Sequence, residues 1–410
     1  MPDLAKAEKR FDDLVSSAER TLRVGRSRPF FFGPADRPLA GYLHLPEDGW
    51  NGTRVLLCPP LGYEALLSYL TLRETAAQLA ARTNAMVMHF DYDGSGDSAG
   101  TDEDPGRVAA WLASVKHALE YVKAVSPEPG PVVLVGLRAG ALLAAHAAAG
   151  RTDIAGLALW APCATGKAFL REQRAFSNLT TSNRPGKEKA TAGLDANGFV
   201  FTDETMAALE VLRMADLAEP VSPNVLVLQR AEMRTPQAVP KSWTNSVVEE
   251  QTTTDYPRMM EPPWLWESPT ASISVLADWI TRLSPASKTV VSVREGATTA
   301  TVAPGVRETA LFFGKAEHRF GILSAPAESA SGEAVLLVTS TFGYRIGPNR
   351  MNVAFARRFA AVGTAVLRID VNGVGDSREG VGTPPPGPYD PAAIDDVCAA
   401  LVLLKRMGYR

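Results

Sequence analysis

The sequence holds few groups that could carry chemistry alone. Its three cysteines, Cys58, Cys163 and Cys398, lack metal-ligand spacing, so we expect reduced, buried thiols, no metal site and no cofactor. No apolar run approaches the roughly 20 residues that span a bilayer. The N-terminus is charged and periodic, unlike a signal peptide. These absences predict a cytoplasmic protein without a membrane span.

A strong charge of either sign is also missing. The chain has 42 basic and 45 acidic residues, which gives a net charge of −3, and neither sign forms blocks. This balance disfavours nucleic acid and anionic membranes as partners and fits a small-molecule or acyl-type ligand better. A length of 410 residues exceeds the usual size of a single hydrophobic core, so we expect two domains.

Residues 1–27 predict a separate N-terminal element. Apolar residues recur there at helical spacing among charged ones, among them Leu4, Phe11, Leu14 and Leu22. The pattern is typical of an amphipathic helix. Such a helix either packs on its own domain or docks onto a protein partner or a second copy of the chain.

Beyond that helix the chain repeats itself. Residues 31–33 (Phe-Phe-Gly) return at 312–314, and Gly62-Tyr63 returns as Gly343-Tyr344. The segment 91–98 (DYDGSGDS) returns at 370–377 (DVNGVGDS), so the offset stays between 279 and 281. A constant offset predicts two copies of one structural unit. At this offset residue 410 lies opposite residue 130, so the second copy is expected to be partial.

The first copy alternates apolar runs with helical stretches. Short runs at 55–58, 86–90, 132–135 and 225–228 predict buried parallel strands, and 72–81, 108–125 and 139–149 predict helices. The alternation predicts an α/β fold whose mostly parallel sheet carries helices on both faces. We expect domains at 28–284, with an inserted cap at about 163–220, and at 285–410.

Residues 136–140 (GLRAG) follow a predicted strand and open a predicted helix. A Gly-x-x-x-Gly turn in this position is where an α/β-hydrolase fold carries its nucleophile. Here the central residue is Arg138, whose protonated guanidinium cannot attack a carbonyl.

The chain resembles α/β-hydrolases of the serine aminopeptidase type, including the hydrolases encoded beside exosortase and natural-product gene clusters. The resemblance covers nearly everything after residue 28 and is carried by segments 58–64 (CPPLGYE), 91–98, 136–140 and 159–162 (LWAP). It implies a tandem two-unit form with a truncated second unit. Some members of that group also carry Arg at the central elbow position.

The other members of a catalytic triad are also missing from the first unit. No histidine occurs between residues 147 and 317, where this fold supplies its base. Trp264 stands where the imidazole base would be expected. Glu232 is the candidate acid, and it is either a remnant of the triad or an exposed loop carboxylate. Cys58 could serve as an alternative nucleophile, but no histidine is placed to activate it.

Binding could survive the loss of catalysis. The segment Leu61, Gly62, Tyr63 and Glu64, together with Ala139, lies where this fold builds its oxyanion hole. Arg138 beside it could bind a carboxylate or phosphate, or could pair with Glu64 or Asp91 and hold loops together. Trp264 and Trp266 could line an acyl pocket or simply pack. The two Asp-rich turns, residues 91–98 and 370–377, are predicted to be structural.

Three functional hypotheses follow. The leading one is a protein related to ester, thioester or acyl-transfer enzymes, whose first unit is a pseudo-hydrolase that acts in binding or scaffolding. The main rival is an active hydrolase or acyltransferase whose second unit is completed by further polypeptide or a partner chain. The third is a nonfunctional fragment with an exposed apolar edge at residues 401–407.

Overall fold

A computed structural model describes most of the chain after residue 26. The described residues are 27–46, 49–126, 129–181, 193–217, 222–233, 239–286, 293–294, 296–314, 317–328, 332–339, 343–377, 391 and 393–410. The predicted N-terminal helix lies outside them, apart from residue 27. Within the described residues, no helix is both long and apolar enough to cross a membrane.

The larger sheet has eight strands in the order β1-β2-β4-β3-β5-β6-β9-β10. Strand β2 is antiparallel to β1 and β4, and all other neighbours are parallel. The central strands are buried along their length because they are continuous apolar runs with helices on both faces. The strands are β1 (Arg28–Phe32), β2 (Leu39–His44), β3 (Arg54–Cys58), β4 (Met86–Phe90), β5 (Val132–Leu137), β6 (Ile154–Trp160), β9 (Asn224–Arg230) and β10 (Val247–Thr253).

Helices connect these strands and confirm the predicted α/β class. They are α1 (Tyr63–Leu67), α2 (Tyr69–Thr83), α3 (Arg107–Ala124), α4 (Ala139–Ala148), α7 (Tyr256–Met259) and α8 (Thr270–Leu283). Two hydrophobic clusters, one on each face of the sheet, form the core. This order of strands and helices is the α/β-hydrolase fold.

Between β6 and β9 the chain leaves the sheet, in the region predicted to be a cap. This region contains α5 (Gly166–Thr181), β7 (Leu194–Ala196), β8 (Phe199–Phe201), α6 (Asp203–Glu210) and a 3-10 turn at Met214–Asp216. Strands β7 and β8 form an antiparallel hairpin. The ring of Phe201 lies against Gly62, so the hairpin closes over the loop that follows β3.

The second sheet has five strands in the order β11-β12-β13-β15-β14. Its strands are β11 (Thr299–Ala303), β12 (Val306–Phe313), β13 (Arg319–Pro326), β14 (Ala334–Val338) and β15 (Ala365–Ile369). Its helices are α9 (Met351–Ala361) and α10 (Ala393–Arg406), with a 3-10 turn at Pro348–Arg350. The pairing β12-β13-β15-β14 is antiparallel, antiparallel and parallel, as in β1-β2-β4-β3.

The two sheets meet around a buried cluster of ionised side chains. Arg345 Nε donates to Asp97 Oδ2 at 2.8 Å, and Arg345 Nη1 donates to Asp370 at 2.7 Å and to Asp376 at 2.9 Å. Arg368 joins the same Asp97 at 2.7 Å. The side chains of all five residues are fully buried. We call these five residues the Arg345 cluster.

The Arg345 cluster is built on the two Asp-rich turns. In the first turn the Asp97 amide donates to the Asp91 carboxylate at 2.9 Å, and in the second the Asp376 amide donates to Asp370 at 2.9 Å. Burial raises the pKa of Asp91 to about 7 and that of Asp370 to about 6. Although burial opposes ionisation, Arg345 and Arg368 hold the pKa of Asp97 well below its usual value. Each turn therefore satisfies local amides, and Asp97 is ionised where it bridges the sheets.

Two further arginines, one in the 3-10 turn before α9 and one on α9, bind the backbone of the first turn. Arg350 donates to the carbonyls of Gly96 at 2.7 Å and Gly94 at 2.9 Å. Arg357 donates to the carbonyl of Asp97 at 2.9 Å. Gly96 has a φ of 49°, and a Cβ there would lie 2.1 Å from the Asp91 carboxylate, so only glycine fits. The turn is thus held in place by both its own side chains and the second sheet.

We predict that Arg345→Ala destabilises the protein by about 3–5 kcal/mol, because it leaves three buried carboxylates without their shared cation. Urea unfolding monitored by circular dichroism measures the change. Arg282→Ala is the control, since Arg282 is 55% exposed in its pair with Glu249. An Arg345→Ala protein as stable as the control would contradict this role of the cluster.

Candidate functional site

The elbow between β5 and α4 is formed as a sharp turn. Arg138 connects the two elements with φ 57° and ψ −122°, in the left-handed region that L residues rarely adopt. A Cβ on Gly140 would lie 2.2 Å from the carbonyl oxygen of Pro59, and one on Gly136 would lie 2.4 Å from Ala141 Cα. Both positions therefore require glycine. This is the strand-turn-helix context in which a hydrolase carries its nucleophile.

The side chain of Arg138 is enclosed in ion pairs. It is 1% exposed, and Nη2 donates to Glu64 Oε1 at 3.2 Å and to Glu172 on α5. Nη1 donates to the Ala161 carbonyl at 3.3 Å. The sequence suggested Glu64 or Asp91 as the partner of Arg138, and in the structure the one of these two that pairs with it is Glu64. The charge of Arg138 is thus compensated by carboxylates of the protein itself.

A second cation completes this group. Arg230, at the end of β9, lies 3.4 Å from the same Glu172 carboxylate. The Tyr256 ring lies near both guanidinium groups, with its centroid 5.9 Å from Arg138 Cζ and 4.9 Å from Arg230 Cζ. Burial raises the pKa of Tyr256, so its hydroxyl is neutral. Arg138, Arg230, Glu64 and Glu172 thus form a charge-balanced group around the neutral phenol of Tyr256, and we call these five residues the Arg138 group.

Tyr256 and Arg230 were not among the predicted site residues. Tyr256 begins α7, directly after the last strand of the larger sheet, which is the region where a hydrolase supplies its histidine. The predicted Trp264 is half-buried in the segment between α7 and α8. Trp266 packs against α2, where its Nε1 donates to Thr71 at 2.9 Å. If β10 had been recognised in the sequence, Tyr256 would have been a candidate site residue, because it follows that strand.

The predicted acid position is exposed. Glu232 lies in the turn after β9, and its side chain faces solvent. The residue that this part of the chain brings to the elbow is Arg230, whose Nε donates to the Met233 carbonyl at 3.2 Å. The end of β9 thus contributes a cation to the Arg138 group.

The histidines lie on strands, on helices and in one loop outside the elbow turn itself. His44 and His89 are buried on β2 and β4, and β3 separates β4 from the elbow strand β5. Burial lowers the pKa of both, to about 4 for His89, so they are neutral at pH 7. His146 lies near the C-terminal end of α4, and His117 is exposed on α3. His318 lies before β13 in the second sheet.

The predicted oxyanion region is covered by the cap. Leu61 is buried, Gly62 has φ 62°, and the Tyr63 ring stacks on Phe176 with 5.2 Å between centroids. Two cavities beside Gly62 have volumes of only about 40 and 30 Å³. Small-molecule sites usually have some 300–1,000 Å³. These cavities hold water-sized groups only.

Burial keeps the thiols of this region in their neutral form. It raises the pKa of Cys58 well above that of a free thiol and raises the pKa of Cys163 to about 12. Because the thiolate is the nucleophilic form, burial disfavours nucleophilic attack by either residue near neutral pH.

We predict that Arg138→Ala lowers the free energy of unfolding by about 2–4 kcal/mol. The range is set below that for fully buried pairs because Glu64 and Glu172 are 16% and 30% exposed. Urea unfolding monitored by circular dichroism measures the change, with Arg174→Ala as the control, since Arg174 lies on the same helix as Glu172 in an exposed pair with Glu210. An Arg138→Ala protein as stable as this control would contradict the assignment.

The comparisons with known proteins agree with this fold. Residues 68–197, from the start of α2 to the β7-β8 hairpin, match the family model described as serine aminopeptidase, S33. The match includes the elbow. No curated protein matches the chain by sequence.

Three solved structures illustrate the likeness. Est1E from Butyrivibrio proteoclasticus, with ferulic acid bound, is 16% identical, with 62% of this chain and 98% of that chain covered and a TM-score of 0.42. Proline iminopeptidase from Mycobacterium smegmatis is 15% identical, with 63% and 98% covered and a TM-score of 0.44. An esterase from Pyrobaculum calidifontis is 18% identical, with 68% and 94% covered and a TM-score of 0.44. The strand order and the elbow show the α/β-hydrolase fold, and residues 68–197 are similar to the serine aminopeptidase S33 family.

Proposed function

We propose that the first unit, residues 28–284, is a pseudo-hydrolase related to ester, thioester and acyl-transfer enzymes, and that it serves as a scaffold. The observation that carries the proposal is the elbow residue, Arg138, whose guanidinium is held by Glu64 and Glu172. A protonated guanidinium has no lone pair with which to attack a carbonyl.

The surroundings of Arg138 support the loss of the base as well. Tyr256, which follows the last strand, is a neutral phenol placed between two cations. Nucleophile and base act as a unit, so the absence of both removes most of the rate enhancement of a serine hydrolase. The neutral, buried thiols of Cys58 and Cys163 offer no substitute.

Scaffolding is better supported than anion binding at the elbow. An anionic ligand would have to displace Glu64 or Glu172 from Arg138, and the cavities beside Gly62 are too small for an acyl chain. The Arg345 cluster supports the scaffold role, because Asp97 of the first unit pairs with Arg345 and Arg368, which both belong to residues 285–410.

We further propose that residues 285–410 form a partial second unit of the same kind. The repeated turn and the shared pairing order of β12-β13-β15-β14 and β1-β2-β4-β3 support this interpretation. A cytoplasmic location is proposed as well, since Cys58, Cys163 and Cys398 are free thiols.

The alternative function is a hydrolase or acyltransferase whose active elbow belongs to a completed second unit. Among the described residues β14 is the last strand of the second sheet, whereas its counterpart β3 pairs with the elbow strand β5, and this difference supports the alternative. Under this alternative the first unit keeps its scaffold role and catalysis lies in the added polypeptide.

The test is hydrolysis of nitrophenyl esters and of an acyl thioester by the purified chain. We expect no turnover above the background rate, and the same result for Arg138→Ser, which supplies a nucleophile without a base. Turnover by the wild type that is lost in Arg138→Ala or Cys58→Ala would overturn the proposal. Circular dichroism of each variant shows that it is folded.

A further inference from the structure

Two buried histidines lie beside the junction of the two sheets. His44 on β2 and His89 on β4 are 1% and 2% exposed, and their ring centroids are 5.5 Å apart. Among the residues that the structure describes, neither ring nitrogen of His44 has a hydrogen-bond partner, and Nε2 of His89 has none either. A neutral imidazole is tolerated in such surroundings, whereas a protonated one would be a buried charge without a partner.

The rings around His89 connect it to the Arg345 cluster. Tyr42 stacks on His89 with 4.8 Å between centroids, and Tyr69 of α2 contacts it edge-on at 5.9 Å. The Tyr42 hydroxyl donates to Asp97 at 3.0 Å, and the Tyr69 hydroxyl donates to Asp376. A displacement of His89 therefore disturbs two of the carboxylates that hold the sheets together.

His89 occupies the position that Arg368 has in the second sheet. The pairing of β2 with β4 gives His89 the same register position that Arg368 has in the pairing of β13 with β15. The charge of Arg368 is paired there, because its guanidinium donates to Asp97 of the first turn at 2.7 Å. A charged His89 would need the equivalent carboxylate of the second turn, which is Asp376.

Asp376 has no capacity left for that role, because four groups already bond to it or pair with it. They are Ser27 Oγ at 2.9 Å, Arg345 Nη1 at 2.9 Å, the Tyr69 hydroxyl and Arg73 Nε at 3.4 Å. A protonated His89 would add a third cation beside Arg73 and Arg345, and one carboxylate cannot compensate three cations.

The two histidines share the same unfavourable surroundings. Burial lowers the pKa of both, to about 4 for His89, and Arg73 lowers both further, while Asp376 opposes the shift. An imidazole released into water has a pKa of about 6.5. Between these values an opened state binds protons that the closed state does not. The stability of the closed junction is therefore fully present above about pH 6.5 and is lost as the pH falls toward 4.

We propose that His44 and His89 form an acid-sensitive switch at the junction of the two sheets, which is closed while both rings are neutral and opens when they take up protons. The opening is directed at the junction because Tyr42, which stacks on His89, also packs with Val302 and Val306 of the second sheet. The central strands β3 and β5 lie beyond β4 in the larger sheet and keep their pairing.

Amide hydrogen exchange of the full chain tests the proposal, after correction for the intrinsic effect of pH on the exchange rate. The Phe31 amide donates to the Ala297 carbonyl across the junction at 2.7 Å, so its protection measures the closed state. The amides of β5 measure the fold of the larger sheet. When the pH is lowered from 7 to 5, we expect the protection of the Phe31 amide to fall and that of β5 to persist.

A histidine variant separates this effect from other groups that titrate in the same range. A histidine that is charged only in the opened state contributes about tenfold per pH unit below its free pKa, so the fall in Phe31 protection should be about 20-fold smaller in His44→Leu than in the wild type. Asp91 and Asp370, whose raised pKa acts in the opposite direction, are present in both proteins and cancel. His117→Gln, at an exposed position on α3, is the matched control and should behave as the wild type does.

Two results would overturn the proposal. One is an equal fall in Phe31 protection in the wild type and in a folded His44→Leu chain. The other is a loss of β5 protection as large as that of Phe31, because the histidines would then act on the whole fold. His89→Gln is measured in the same way, so that a folding defect in one variant leaves the other to decide.

Discussion

The relative placement of the two sheets depends on buried ion pairing. A charge removed from water must be paired and hydrogen-bonded, or its burial costs several kcal/mol. Arg345 meets this requirement only where Asp97, Asp370 and Asp376 converge, and these three carboxylates come from two turns more than 270 residues apart. Because all four side chains are fully buried, a shift of either sheet would leave at least one charge unpaired.

Apolar contacts complete the same interface. Phe31 and Tyr42 of the larger sheet pack with Val302 and Val306 of the smaller one, and the Phe31 amide donates to the Ala297 carbonyl at 2.7 Å. The apolar cluster adds buried surface to the interface, and the ionic cluster fixes its geometry, since hydrophobic contacts tolerate small displacements whereas hydrogen-bonded ion pairs do not.

The parts of the fold that could be predicted from sequence are those governed by local pattern. Strands β3, β4, β5 and β9 are continuous apolar runs, and the helices between them have clear periodicity. Strand β10 has none of these signals, because Val247–Thr253 is an exposed edge strand with two glutamates. The β7-β8 hairpin was missed for a similar reason, since each strand has only three residues.

The candidate site shows the same difference between residues with a local sequence signature and residues without one. The elbow, Arg138 and its pairing with Glu64 could be inferred, because the turn has a local signature and Glu64 lies in a neighbouring motif. Glu172, Arg230 and Tyr256 could not, because ion pairs between distant residues leave no periodic trace in one sequence. The same limit hid Arg345, although two turns rich in buried carboxylates require cations nearby.

The conformation of Arg138 also bears on why the elbow persists. A non-glycine residue at φ 57° holds about 1–3 kcal/mol of backbone strain, which in an active hydrolase is repaid by an exposed nucleophile. Here the position is occupied by the buried side chain of Arg138, and Gly136 and Gly140 bring α4 against the backbone of Pro59. The sharp turn is therefore a requirement of how a helix seats on this sheet, and the fold would impose it on whatever residue occupied the position.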